Sequence, residues 1–182
     1  MSNPGCANLE NTHQTGLTNL KNRNSMNALH WAVLDGDIGA VQRSIAQGDD
    51  INAQDRDGRT PLFQSIVDGS AAIVSQLIQA GANVNTRDKD LNTPLHFAAQ
   101  ENQVELAELL LKHGAQVDAQ DVYGNTPLST AVFYSRGRGE MIKLLLAHSA
   151  DRALRNKYGV SPEELAKTIA NYDIAKFFGP EI

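Results

Sequence analysis

The sequence predicts an all-α array of stacked helix–turn–helix units, a solenoid in place of one irregular core. Three observations carry this. Thr60-Pro61-Leu62, Thr93-Pro94-Leu95 and Thr126-Pro127-Leu128 recur at intervals of 33 residues. Each start is followed at matched distance by a stop: Ala80-Gly81-Ala82, His113-Gly114-Ala115 and, more loosely, His148-Ser149-Ala150. Between start and stop lie two short apolar runs separated by a polar break, such as Leu95 to Ala99 and Val104 to Lys112. A fixed period with repeated punctuation means that each unit buries its apolar face against its neighbours.

The start signal has a physical cause. A threonine ahead of a proline caps a helix, because its hydroxyl accepts a hydrogen bond from an otherwise orphaned N–H. Proline then fills the first helical position, where its missing N–H costs nothing. Leu95, Ala98 and Ala99 give a short first helix that a neighbour can approach closely. The second helix places leucines on its stacking face, and Gly114 ends it by tolerating the left-handed conformation of a C-cap. The following VDAQD and the next turn are too short for a third helix and read as an extended finger.

TPLHFAA, the leucine-rich second helix, HGA and the period together resemble the ankyrin-repeat family over roughly residues 22–178. The resemblance implies about five helix–turn–helix units with β-hairpin fingers in a slightly curved solenoid. Partners would be gripped by the finger tips and the exposed side of each first helix. The expected repeats are 22–54, 55–87, 88–120, 121–155 and 156–178, with a polar tail at 1–21 and a short C-terminal end at 179–182.

Taken in order, residues 1–21 are rich in Asn, Thr, Ser and Gly and bury little. They read as a disordered tail, or as a partial cap through Leu9, Leu17 and Leu20. The first repeat replaces the threonine-proline start with Asn27-Ala28-Leu29-His30, as terminal repeats often do, and its Trp31, in register with Phe97, is expected in the core. The second keeps the pattern, packing Ile73, Val74, Leu77 and Ile78. Asn52, Asn85 and Asp118 share a finger register and read as structural, since their side chains bond nearby backbone. In the third, Leu91 stands where Gly58 and Gly124 stand. It either changes the turn type or exposes an apolar group. The fourth carries Ser135-Arg136-Gly137-Arg138-Gly139-Glu140, two residues longer than the segment ahead of Glu105, and reads as a basic, mobile loop. It lacks the spacing and preceding strand of a P-loop. In the fifth, Ser161-Pro162-Glu163-Glu164 is a capping box, and Ile174, Phe177 and Phe178 are expected to pack a second helix.

Composition narrows the function. Among 182 residues the net charge is −5 and aromatics make up 5%, which disfavours nucleic acid as a partner. Cys6 is the only cysteine, so no internal disulfide or cysteine zinc site is expected. No apolar leader or spanning segment is seen, and a cytoplasmic protein without membrane contact is expected. HExxH, GxSxG, CxxC and GxGxxG are absent. Equivalent positions in neighbouring units stand about 8–10 Å apart, too far for His113 and His148 to share a zinc ion. His96 reads as a structural hydrogen-bonding residue, as the family uses it. No catalytic residue, metal or cofactor is expected.

The remaining variable positions are the candidate partner-binding residues. They are Arg56, Asp57, Arg59 and Asp68 in repeat two, and Lys89, Asp90, Asn92, Gln100 and Glu101 in repeat three. Repeat four adds Tyr123, Asn125, Phe133, Tyr134, Arg136 and Arg138, and repeat five adds Tyr158. Tyr123, Phe133 and Tyr134 read as an aromatic anchor framed by charges, or as a cover for the irregular turn. The expected function is binding of another protein by a chain that is monomeric when free. A dedicated inhibitor or immunity-type neutraliser is favoured over a general scaffold, and an enzyme is the weakest reading.

Overall fold

The computed structural model describes residues 26–169 and 171–179. The expectations for the tail, for Cys6 and for the last three residues lie outside them. Among the described residues nine α-helices follow in order: α1 (Ala28–Leu34), α2 (Ile38–Ala46), α3 (Pro61–Val67), α4 (Ala71–Gln79), α5 (Pro94–Gln100), α6 (Val104–Lys112), α7 (Pro127–Tyr134), α8 (Glu140–Ala147) and α9 (Pro162–Thr168). A 3-10 turn, Ala175–Phe178, is the last described element and stands where a full second helix was expected.

The helices form two rows. First helices α1, α3, α5, α7 and α9 pack in sequence, and second helices α2, α4, α6 and α8 run beside them to the 3-10 turn. The core is correspondingly a set of columns. Leu29, Leu62, Leu95 and Leu128, one per first helix, are fully buried. Val41, Val74, Ala107 and Ile142 form a second column, and Leu77, Leu110 and Leu145 a third, all fully buried. The third column ends at Ser44, whose hydroxyl donates to Asp49 at 2.6 Å. A buried polar residue is tolerated there because its hydroxyl is hydrogen-bonded.

The predicted caps form. Pro61, Pro94, Pro127 and Pro162 each open a helix behind Thr60, Thr93, Thr126 and Ser161. Ser161 and Glu164 complete the predicted capping box. Gly81 and Gly114 leave their helices at φ of 93° and 86°, and Ser149 takes the same left-handed turn at 64°.

Among the described residues no strand is present, so the expected β-hairpins are replaced by tight turns. Each finger is closed by one acidic or amide side chain. Asp55 accepts the N–H groups of Asp57 and Arg59 at 2.8 and 2.9 Å. Asp88, Asp121 and Asn156 do the same for Asp90 and Asn92, Tyr123 and Asn125, and Tyr158 and Val160. These local bonds satisfy the backbone without a ladder. Neighbouring fingers share one repeated backbone bond: the N–H groups of Lys89, Val122 and Lys157 donate to the carbonyls of Asp57, Asp90 and Tyr123, each at 2.9 Å.

A second set of side chains joins consecutive units. Asn52, Asn85 and Asp118 accept the N–H groups of Asn83, Gln116 and Asp151 at 2.8, 2.8 and 3.0 Å. Their predicted structural role is therefore exercised on the following repeat. Trp31 is half-buried, like Phe97 in its register, so the core column runs through Leu29, Ala32 and Val33 instead.

Of the two alternatives for Leu91, the exposed apolar group is the one observed: the side chain is exposed, and the turn type of its glycine neighbours is kept, with φ at 61° and its N–H bonded to Asp88 as those of Gly58 and Gly124 are to Asp55 and Asp121. One other expectation changes. The basic loop of repeat four is not a free one. A Cβ on Gly139 would lie 2.3 Å from the Phe177 ring, and one on Gly137 would lie 2.9 Å from the Tyr172 ring. Both glycines serve the approach of the fifth unit's aromatics, which pin the segment down.

Candidate partner-binding surface

The first helices and fingers of repeats three to five enclose a groove of about 480 Å³. Its floor is made by α5, α7 and α9 through His96, Phe97, Ser129, Thr130 and Leu165. Fingers supply Asp90, Asn92, Tyr123, Asn125 and Tyr158, and the ends of the first helices supply Gln100, Phe133 and Tyr134. Eight of the predicted residues thus meet around one concavity. Sequence reasoning missed the floor, because those positions read as scaffold.

The aromatic rim is exposed. Phe133 and Tyr158 keep 65% and 72% of their surface in solvent, and Tyr123 keeps 54%. Tyr123 and Tyr158 stack across adjacent fingers with centroids 6.5 Å apart. Phe133 and Tyr134 meet edge to face at 5.0 Å. Large rings left in water and fixed in pairs present apolar area at low entropic cost.

Beneath them, His96 is locked into the scaffold. The Thr93 N–H donates to its Nδ1 at 3.1 Å, and its Nε2 contacts the Asn125 carbonyl of the next repeat at 3.1 Å. The neutral tautomer with hydrogen on Nε2 satisfies both bonds. Burial holds the imidazole below its ordinary pKa, more strongly than the Asn125 carbonyl raises it. His30 repeats the arrangement with Asn27 and the Arg59 carbonyl.

The other predicted residues lie away from the groove. Arg56 is exposed on the second finger, and Asp57 there pairs with Lys89 at 3.9 Å. Asp68 and Glu101 are exposed helix C-caps that accept hydrogen bonds from Gln64 and Gln100. Arg136 and Arg138 sit on the loop between α7 and α8, with Arg138 Nε donating to the Ser135 carbonyl. Arg59 is half-buried, its guanidinium 5.4 Å from the Phe63 ring centre and 5.1 Å from that of Phe97. It fills the concave face itself and so is not a free contact. The charged frame expected from repeat two therefore does not reach the aromatic cluster.

Among the described residues no group of three His, Cys, Asp or Glu side chains is placed to hold a metal ion. Nor, among them, is any helix long and apolar enough to cross a membrane.

Stacked helical pairs, fingers joined by a repeated backbone bond and a concave face whose side chains vary from unit to unit define a repeat-scaffold protein. The sequence model for ankyrin repeats (3 copies) matches residues 8–88, 29–121 and 85–156, and the chain belongs to that family. Its repeats are generally modules for binding other proteins and are typically non-catalytic. No match to a curated protein is found.

Proposed function

We propose that this chain binds one partner protein in the groove of repeats three to five, with Tyr123, Phe133, Tyr134 and Tyr158 as anchors. The observation that carries the reading is the set of four large exposed rings around a single concavity. Exposed aromatics clustered in this way are costly in water and are the residue types that dominate binding hot spots. We read the array as five units with the fifth shortened, and the role as a dedicated inhibitor of its partner. A scaffold joining two partners is the second reading, favoured by the separate charged tips around Arg56 and Lys89.

The test is affinity capture from the native source with the wild-type chain and a Phe133→Ala/Tyr134→Ala variant of unchanged helical content. A partner retained by the first and lost from the second is expected; equal retention refutes the groove. Light scattering then separates the two roles. An inhibitor gives a one-to-one complex in which the partner's activity falls, and a scaffold holds two proteins together.

A further inference from the structure

The groove exists because one register changes its side chains along the stack. Between repeats two and three that register is filled by Arg59, Phe63 and Phe97, the guanidinium resting on both rings. The rings themselves meet at 4.8 Å, and the buried Arg59 Nε has no hydrogen-bond partner, so π contact holds it. One step on (33 residues), the three positions are Asn92, His96 and Thr130; one step further, the last lengthened by the two-residue insertion of repeat four, they are Asn125, Ser129 and Leu165. All six line the groove. Smaller side chains have replaced a cation and two phenyl rings, and the concavity is the space they vacate.

The surroundings retain the features that suit a cation. Tyr123, Tyr158, Phe133 and Tyr134 offer ring faces, Asp90 and Asp121 supply carboxylates, and no Lys or Arg lines the groove. Asp121 is occupied by its own finger. Asp90 is exposed and takes part in none of the ion pairs among the described residues. We propose that the partner presents an arginine to this groove, seated against the tyrosine rim and paired with Asp90. The guanidinium would take the role that Arg59 plays one unit earlier. Arginine suits the site better than lysine because its flat, weakly hydrated group stacks on aromatic faces while its edge bonds a carboxylate. This inference rests on the groove being a protein-binding surface.

The test separates the two claims. A random 12-residue peptide display library is selected on the full chain and counter-selected on a Tyr123→Ala/Tyr158→Ala variant whose circular dichroism matches wild type. Groove-dependent peptides enriched in arginine are expected. Replacing that arginine by citrulline, neutral and of the same shape, is expected to weaken a selected peptide roughly tenfold, from loss of the cation–π contact and the ion pair. Asp90→Asn is expected to weaken it about threefold, with no effect on the citrulline peptide. Groove-dependent peptides without arginine, or insensitive to citrulline, overturn the arginine inference alone. Selection that yields no groove-dependent peptide overturns both it and the protein-binding groove.

Discussion

Gly124 and Gly159 occupy the same finger position in successive repeats, at φ of 79° and 77°, and differ in what lies beyond them. A Cβ on Gly124 would stand 2.9 Å from the Lys157 nitrogen, whereas one on Gly159 meets nothing within 4 Å. Replacing either glycine with alanine places an L-residue in the left-handed region, at about 1–2 kcal/mol. That is offset by about 0.4–1 kcal/mol through the restricted unfolded chain. Only Gly124→Ala also pushes on the finger-to-finger bond from Lys157 N–H to the Tyr123 carbonyl, worth about 0.5–1.5 kcal/mol. Leu91 limits the estimate from above, since a side chain in this register coexists with an Asp90–Val122 bond of 2.9 Å. Gly124→Ala is therefore expected to lower stability by about 1–2 kcal/mol, and Gly159→Ala by about 0.5 kcal/mol. Urea unfolding followed by circular dichroism measures both. Equal losses for the two variants would refute the claim that the approach of the next finger selects glycine at position 124.

At Leu91 the usual ranking of alanine over glycine inverts: with φ at 61°, Leu91→Gly should exceed Leu91→Ala in stability by about 1 kcal/mol, read by the same unfolding curves. His30 and His96 are both held below their ordinary pKa by burial. Their depressed folded values mean that the unfolded chain takes up protons first. Stability is then complete above about pH 6.5 and falls as pH drops below it; His96→Ser, the residue in register at Ser129, should flatten the pH profile of the urea midpoint. Asp118 is held above the ordinary carboxylate range by desolvation first and by the nearby Asp151 charge, against the opposing pull of the Asp151 N–H. A raised acid destabilises the fold as pH rises through its folded value. Asp118→Asn, which copies Asn52 and Asn85, should therefore raise the thermal midpoint at pH 7 and have no effect near pH 3.

The repeats were legible in the sequence because their determinants are local. A threonine, a proline immediately ahead of a core leucine and a glycine at a fixed distance specify caps and turns wherever the chain goes next. The candidate site was legible in its rim for a related reason: Tyr123, Phe133, Tyr134 and Tyr158 break the repeat's consensus with large rings. Its floor was hidden because emptiness is a relation between units. Whether Thr130 leaves space depends on Asn92 and His96, and whether Arg59 is free depends on Phe97, a ring 38 residues further on (59 to 97). The loop after α7 was misjudged for the same cause. Its glycines suggested mobility, yet their purpose is set by Tyr172 and Phe177 in the following unit. The hairpins failed to form because one carboxylate or amide at each finger base satisfies the turn's N–H groups without strand partners.

The Asn52, Asn85 and Asp118 bonds join each unit to the next, so the load on a stretched array passes through them one after another. Pulled from its two ends, the chain should yield in discrete steps, a 33-residue module freeing about 110 Å of extended backbone. The force trace would be a sawtooth, with the tooth set by Asp118, a carboxylate facing another acid, giving way at lower force than those of the two asparagines.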